Sequence, residues 1–172
     1  MYHYCYNPKI KNSKINQIHL FSDDSKLLAI SFDKNINETK RALGVLGFTN
    51  KKSKVIQKTI KQLDLYFKGK LKRFTIPLKL KGTSFQVNAW KQLLKIPYGK
   101  VIDYKTQCSM IKNPKAARAI GSANGKNLFP IVIPCHRVVP TKYLHSPLIN
   151  CGGYAGGKDI KKYLLTFENR IK

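Results

Sequence analysis

Acidic side chains are scarce in this chain: 8 Asp and Glu stand against 33 Lys and Arg in 172 residues, a formal net charge of +25. Long apolar runs are missing too. No stretch approaches the ~20 residues that a membrane-spanning helix needs, and IVIP at 131–134 is among the purest short runs. The opening MYHYCYNPKI lacks the apolar segment of a secretory signal. The four cysteines, at 5, 108, 135 and 151, form neither a CxxC pair nor a ladder of metal ligands. A reduced, cytoplasmic protein (nuclear in a eukaryote) with no membrane partner is the expectation. Hydrophobic residues at 42% and aromatics at 10% are too many for a disordered basic tail. The length fits one compact domain or two small ones.

The charge excess is spread evenly. Residues 1–82 carry 18 basic and 5 acidic side chains, and residues 83–172 carry 15 and 3, so sequence alone places no basic stripe. Such a field favours phosphate partners and speeds encounter with them. A lysine-rich composition bias is the plainer explanation. An anionic membrane surface is a rival, but no basic amphipathic anchor with a Trp/Phe face is evident.

In the first half, YHYCY at 2–6, INQIHLF at 15–21 and KLLAISF at 26–32 read as strands separated by Asn, Ser and Asp turn residues. Val55, Ile56, Thr59, Ile60, Leu63, Tyr66 and Phe67 then fall at helical spacing, with Ser53 as N-cap and Gly69 past the end. RFTIP at 73–77 reads as a return strand or extended linker. This half is a small α+β domain, an antiparallel sheet plus a helix, and it offers no visible chemistry.

In the second half, Thr83-Ser84-Phe85-Gln86 is a capping box. The helix that follows should bury Phe85, Ala89, Trp90, Leu93 and Leu94 and stop before Pro97. A short helix is expected over Tyr104–Ile111. Asn113-Pro114 then predicts an N-cap with proline at the first helical position, opening a helix that ends at Gly125. The two make either a DNA-binding helix-turn-helix or an ordinary αα-hairpin. The second helix carries Ala, Gly and Ser, so its backbone can approach DNA closely, and Arg118 projects alone from it. A tight helix contact with Arg118 in a salt bridge is the alternative.

Residues 131–139 read as a short β-type run with Cys135 and His136 set into it. A cysteine in an apolar strand is most often inert core. The neighbouring His136 and Arg137 point the other way, since cationic or hydrogen-bonding neighbours lower a thiol pKa. Successive strand side chains face opposite ways, so His136 should reach the sulfur through a water unless the chain kinks. A base of this kind needs an orienting carboxylate, and residues 83–172 offer Asp103, Asp159 and Glu168.

IPCHRV at 133–138 resembles the active-site motif of the O6-alkylguanine–DNA alkyltransferases, the methylated-DNA–protein-cysteine methyltransferases. The resemblance extends through GTSFQVNAW at 82–90, IPYGKVIDY at 96–104, NPKAARAIGSANGKN at 113–127, Tyr154-Ala155-Gly156-Gly157, and Leu164-Leu165 to Glu168. It implies an N-terminal α+β domain over 1–78 and a mostly helical DNA-binding and alkyl-transfer domain over 79–172. It also implies direct repair of O6-alkylguanine, and more weakly O4-alkylthymine, by a monomer acting on double-stranded DNA without cofactor. Cys135 would accept the alkyl group once, as a thioether, and His136 would take the thiol proton through a water. Glu168 would orient His136, and Tyr104 would protonate the departing guanine. By the same resemblance Asn127 braces the turn before the active site, and Tyr154 and Ala155 line the pocket. The main chain at Cys135 and Val138 reads the guanine edge. The helix bearing Ala116, Ala117, Gly121, Ser122 and Asn124 enters the minor groove, while Arg118 fills the place of the flipped base. The family's optional N-terminal zinc lacks support, since His3, Cys5 and His19 form no recognisable ligand set.

This chain departs from the pattern in a longer segment over 140–152, in Ala155 where some members carry serine, and in Leu128-Phe129 where a proline-containing pair is usual. Two other functions compete: a non-catalytic lesion-binding protein, a group that lacks the acceptor cysteine, and a basic helix-turn-helix regulator with a structural cysteine.

Overall fold

The computed structural model describes residues 1–10, 14–44, 47–146, 148 and 150–170. The chain forms two compact units, Met1–Leu80 and Lys81–Lys172. The fold class is α+β, as the strand and helix patterns predict.

In the first unit β1 (Tyr2–Tyr6), β2 (Ile18–Ser22), β3 (Leu27–Phe32) and β4 (Thr49–Asn50) form one sheet in the order β3-β2-β1-β4. The β1–β2 and β2–β3 pairs are antiparallel, and the short β4 runs parallel to β1. Both faces of β2 and β3 are buried, which explains why their sequences read as apolar runs instead of strict alternation. α1 (Ile36–Leu43), unforeseen in the sequence, buries only Thr39, so it leaves no apolar stripe to read. α2 (Lys54–Phe67) starts as predicted, with Ser53 Oγ accepting from the Ile56 amide. It ends at Gly69, whose φ of +72° and whose amide bond to Tyr66 O complete a left-handed cap. Residues 73–77 are extended, and Gln62 holds them by bonds to both the amide and the hydroxyl of Thr75. His3 and His19 hydrogen-bond to each other at 3.1 Å, and His19 also bonds Asp33 at 2.8 Å.

The second unit opens with α3 (Ser84–Leu93), whose capping box is formed as predicted. A Cβ on Gly82 would lie 2.8 Å from Trp90 Cη2, so the box packs against that indole only because residue 82 has no side chain. Ala89, Trp90 and Leu93 are buried and Phe85 is half-buried, but Leu94 is 47% exposed. The helix ends at Leu93, and the expectation for Leu94 fails because this C-cap residue points to solvent while Leu93 and Ile96 on either side of it turn inward. α4 (Tyr104–Met110) is capped by Asp103, whose carboxylate accepts from the Thr106 amide at 2.8 Å.

The turn after α4 differs from the sequence expectation. Lys112 adopts φ +57°, the Asn113 amide bonds Cys108 O at 3.0 Å and the Lys112 amide bonds Ser109 O at 2.9 Å. This pair closes the helix with a lysine in the position glycine usually holds. Asn113 O then accepts from the Ala116 amide at 3.2 Å, which makes Pro114 a turn residue. α5 therefore starts three residues later, at Ala117, and runs to Gly125. Trp90 Nε1 donates to Ala123 O at 2.8 Å, and Ala89, Cys108, Ala116, Ile120 and Ala123 form the core beneath α3, α4 and α5. α4 and α5 are locked by a buried amide pair: Asn124 Nδ2 donates to Gln107 Oε1 at 2.8 Å, and Gln107 Nε2 donates to Asn124 Oδ1 at 3.2 Å. β5 (Ile102–Asp103) pairs in parallel with β6 (Val138–Val139), and α6 (Lys158–Arg170) closes the unit.

Asn124→Ala should cost about 1–3 kcal/mol, because it leaves the Gln107 amide buried without its partner. Denaturant midpoints check this, and adding Gln107→Leu should recover part of the loss.

Candidate active site

The run around Cys135 is not a strand. Ile131 holds φ +74°, a strained value for a β-branched residue, and Pro134 at φ −81° and ψ 61° makes an inverse γ-turn. The Cys135 amide closes that turn on Ile133 O at 2.8 Å. Cys135–Arg137 then form one 3₁₀ turn, and only Val138–Val139 are β. Proline and the two reversals override the β-propensity of IVIP. The kink matters because alternation no longer governs where Cys135 and His136 point.

Asn127, just past α5, ties this turn down. Its Nδ2 donates to Ile133 O at 2.9 Å and to Cys135 Sγ at 3.1 Å, while its Oδ1 accepts from the Phe129 amide at 2.9 Å. Of the three carboxylates open to choice, Glu168 reaches His136. Its Oε1 lies 2.9 Å from His136 Nε2; Asp103 instead caps α4 and Asp159 sits in the first turn of α6. His136 and Glu168 are 0% and 1% exposed, so their bond is shielded from solvent. His136 Nδ1 is buried and has no hydrogen-bond partner among the described residues. The Tyr154 ring meets the imidazole edge-on, with centroids 6.3 Å apart.

Burial pushes the Cys135 thiol pKa up, more than its bond from Asn127 and the charge of Lys161 pull it down. The thiol is therefore raised and not lowered, contrary to what its histidine and arginine neighbours predict from sequence. Arg137 turns away from the sulfur, sending Nε and Nη2 to Glu168 at 2.8 and 2.9 Å and Nη1 to Ile96 O at 2.7 Å. Burial also pushes His136 down, past the opposing pull of Glu168, so the imidazole rests neutral. Burial alone would raise the Glu168 carboxyl, but the bonds and charges of His136 and Arg137 outweigh it and hold it well below the usual carboxylate range. Tyr104 is raised by burial and by the sulfurs of Cys135 and Cys151, so its hydroxyl keeps its proton. A Cβ on Gly152, whose φ is +76°, would lie 3.8 Å from that hydroxyl.

Lys161 went unnoticed in the sequence. It is 1% exposed and its Nζ donates to Val138 O at 2.7 Å and Gly153 O at 3.2 Å. Burial lowers its pKa, against the pull of the Cys135 and Cys151 sulfurs. Its signal was spacing: Lys161, Leu164, Leu165 and Glu168 fall at i, i+3, i+4 and i+7, a core stripe with a charge at each end. The two carbonyls expected to face guanine each already accept one bond, Val138 O from Lys161 and Cys135 O from the Val138 amide. A second lone pair remains on each.

On α5, Ala117, Arg118 and Ser122 are exposed, and Gly121 lies over Tyr104, where a Cβ would be 3.9 Å from Cε1. Among the described residues Arg118 makes no salt bridge. Ala116 and Asn124 are 8% exposed each, so neither side chain stands on the exposed face. Ala116 belongs to the core and the Asn124 amide is committed to Gln107. Ala119 joins the exposed face, and Lys115 and Lys126 flank it. Ala155 is half-buried beside Tyr154. In the long segment 140–152, residues 147 and 149 lie outside the described residues. Leu144, His145 and Leu148 line a cavity of about 510 Å³ with Lys100, Val101 and Leu165, and Cys135, Tyr104 and Tyr154 are not among its walls.

Acid should weaken the fold in two steps. His136 and Glu168 both bind fewer protons folded than unfolded, so each stabilises the fold above its unfolded pKa, and that contribution is lost as pH falls. The His136 contribution should decline from about pH 6.5 downward and the Glu168 contribution from about pH 4.3 downward. Urea midpoints against pH check this, and Glu168→Gln should remove the lower step.

Both halves of the chain match known proteins. Residues 84–170 match the family model described as 6-O-methylguanine DNA methyltransferase, DNA binding domain, and residues 1–80 match that of its ribonuclease-like domain. A methylated-DNA–protein-cysteine methyltransferase of Methanosarcina acetivorans is 36% identical over 92% of this chain and 96% of its own length. A probable methylated-DNA–protein-cysteine methyltransferase of Acanthamoeba polyphaga mimivirus is also 36% identical, over 94% of this chain and 96% of its own. The crystal structure of Mycobacterium tuberculosis OGT in complex with DNA superposes with a TM-score of 0.82 at 31% identity, covering 99% of this chain and 94% of that one. With both halves matched, and Glu168 of α6 bonded to His136 on the buried turn that carries Cys135, the chain belongs to the O6-methylguanine DNA methyltransferase family.

Proposed function

We propose that this protein repairs alkylated DNA by moving the alkyl group of O6-alkylguanine, and more weakly that of O4-alkylthymine, onto Cys135 Sγ. The observation that carries the reading is the commitment of His136 Nε2 to Glu168, which leaves Nδ1 as the one ring nitrogen able to take a proton. The thiol proton passes through a water to Nδ1, since the resting thiol is neutral and the imidazole is an uncharged base. The thiolate attacks the alkyl carbon, a C–S bond forms, the C–O bond breaks and its electron pair leaves on guanine. Tyr104, held protonated, donates to the departing ring, and Asn127 steadies the sulfur during attack. Glu168 stays ionised and stabilises the imidazolium. The thioether offers water no good leaving group, so each molecule acts once.

A stacked base cannot reach a buried sulfur, so the lesion flips out of the duplex. The α5 surface of Ala117, Ala119, Gly121 and Ser122 is flat enough to lie in the minor groove, and Arg118, exposed and without an ion pair among the described residues, enters the vacated stack. The flanking Lys115 and Lys126 neutralise phosphates.

Incubation with a duplex carrying O6-methylguanine should add one methyl to the intact mass, mapped to the peptide holding Cys135. Cys135→Ala should add none yet still bind the duplex. An unchanged mass in the unaltered protein would leave a lesion-binding or regulatory protein instead. Arg118→Ala should slow repair in duplex roughly tenfold, about 1.4 kcal/mol of flipping energy, and leave reaction with the free base analogue O6-benzylguanine nearly unchanged. Stopped time courses on both substrates decide it; equal losses would remove Arg118 from flipping.

A further inference from the structure

We infer that Arg137 is a positioning residue of the transfer reaction: it fixes Glu168 as a carboxylate aimed at His136 and cancels its charge, so that His136 stays an uncharged base with Nδ1 open. This rests on the reading of His136 as the base.

The geometry starts at the carboxylate. Glu168 Oε1 accepts from His136 Nε2 at 2.9 Å and from Arg137 Nη2 at 2.9 Å; Oε2 accepts from Arg137 Nε at 2.8 Å and from the Gly99 amide at 3.2 Å. A carboxylate has about four acceptor sites, and protein donors occupy all of them. A proton on Glu168 would have to displace one of those donors. Arg137 is itself fixed at its far side: Nη1 donates to Ile96 O at 2.7 Å, and its guanidinium carbon lies 5.6 Å from the Tyr98 ring centroid. Its planar fork therefore sets the angle at which Glu168 meets the imidazole.

The charge balance follows from the same contacts. The groups around His136 are Glu168, Arg137, Lys161, the Tyr154 ring and the Cys135 thiol. Glu168 is the one carboxylate among them, and the guanidinium, a permanent cation, neutralises it in a site closed to water. A histidine facing an unpaired buried carboxylate would be drawn into its charged form and would have no lone pair to offer. Facing a paired carboxylate, it keeps its orientation and its basicity is restrained. Burial and the Arg137 and Lys161 charges all act on His136 in this same downward direction.

Removing the guanidinium charge would leave a buried carboxylate and imidazole that take up one proton between them at higher pH. The site of that proton is immaterial. On the ring it makes an imidazolium; on the carboxyl it donates to Nε2 and forces the ring hydrogen onto Nδ1. Both forms close Nδ1 as an acceptor. A purely structural arginine would change the amount of folded protein and leave the titration of the folded fraction where it was.

The test is the pH profile of Cys135 alkylation by free O6-benzylguanine, followed by intact mass in the full-length protein. Arg137→Gln should move the low-pH limb upward by about one to two pH units, the effect of a unit charge at ~6 Å and an effective dielectric of ~20. Arg137→Lys, which keeps the charge and loses the fork, should leave the limb near its original place while slowing the rate. A limb in Arg137→Gln that coincides with the unaltered protein would overturn the inference. Should that variant not fold, the ¹⁵N shifts of His136 in the unaltered protein and in Arg137→Lys decide. A neutral ring protonated on Nε2, persisting well below the ordinary histidine range near 6.5, supports the role, and an imidazolium at pH 6.5 overturns it. Absence of benzylation in the unaltered protein would sink the parent reading, whereas benzylation with an unmoved limb sinks the role of Arg137 alone.

Discussion

The second unit turns on one buried carboxylate. Glu168, near the end of α6, gathers His136 and Arg137 from the active-site turn and the amide of Gly99 from the IPYG turn. A solitary ionised carboxyl in such a place would cost several kcal/mol and would protonate instead. It persists here because its acceptor sites are filled by donors, one of them a guanidinium. The same bonds fix where the imidazole stands, so the packing of α6 and the orientation of that ring are one set of contacts.

Burial sets the character of the site. It raises the Cys135 thiol and lowers His136 and Lys161, so a neutral thiol rests beside a neutral imidazole. A thiolate kept free at all times would be open to oxidation and indiscriminate alkylation. Lys161, bonded to the carbonyls of Val138 and Gly153, ties the cysteine turn to the segment that carries Tyr154.

The α4–α5 pair shows how packing decides which side chains of a helix are available. α5 is rich in small residues along its length, but Ala116, Ile120, Ala123 and Asn124 face α3 and α4, leaving Ala117, Arg118, Ala119 and Ser122 outward. The Gln107–Asn124 amide pair holds this rotation. An apolar contact could slide; two opposed amides, each donating and accepting, fit in one register only.

The capping box at Thr83, the Ser53 cap, the three long strands and the order of motifs from 82 to 168 were legible in sequence because each depends on neighbours within a few residues or on a resemblance carried by spacing. α1 was not, since a polar eight-residue helix with one buried threonine has no periodic stripe. The start of α5 was misplaced because Asn-Pro serves a β-turn as readily as a helix N-terminus, and the left-handed Lys112 chose between them. Cys135 and His136 could be picked out by chemistry, but an apolar run around them reads as strand, and the reversals at Ile131 and Pro134 that place them on a turn arise from packing. By itself the sequence determined the residue types of the site, the α+β class and the basic character, all local or compositional properties. Only the tertiary structure decided that Arg137 serves Glu168 and not the sulfur, that Lys161 is buried, and that Asn124 faces inward, because those outcomes depend on which distant segments share a water-free space.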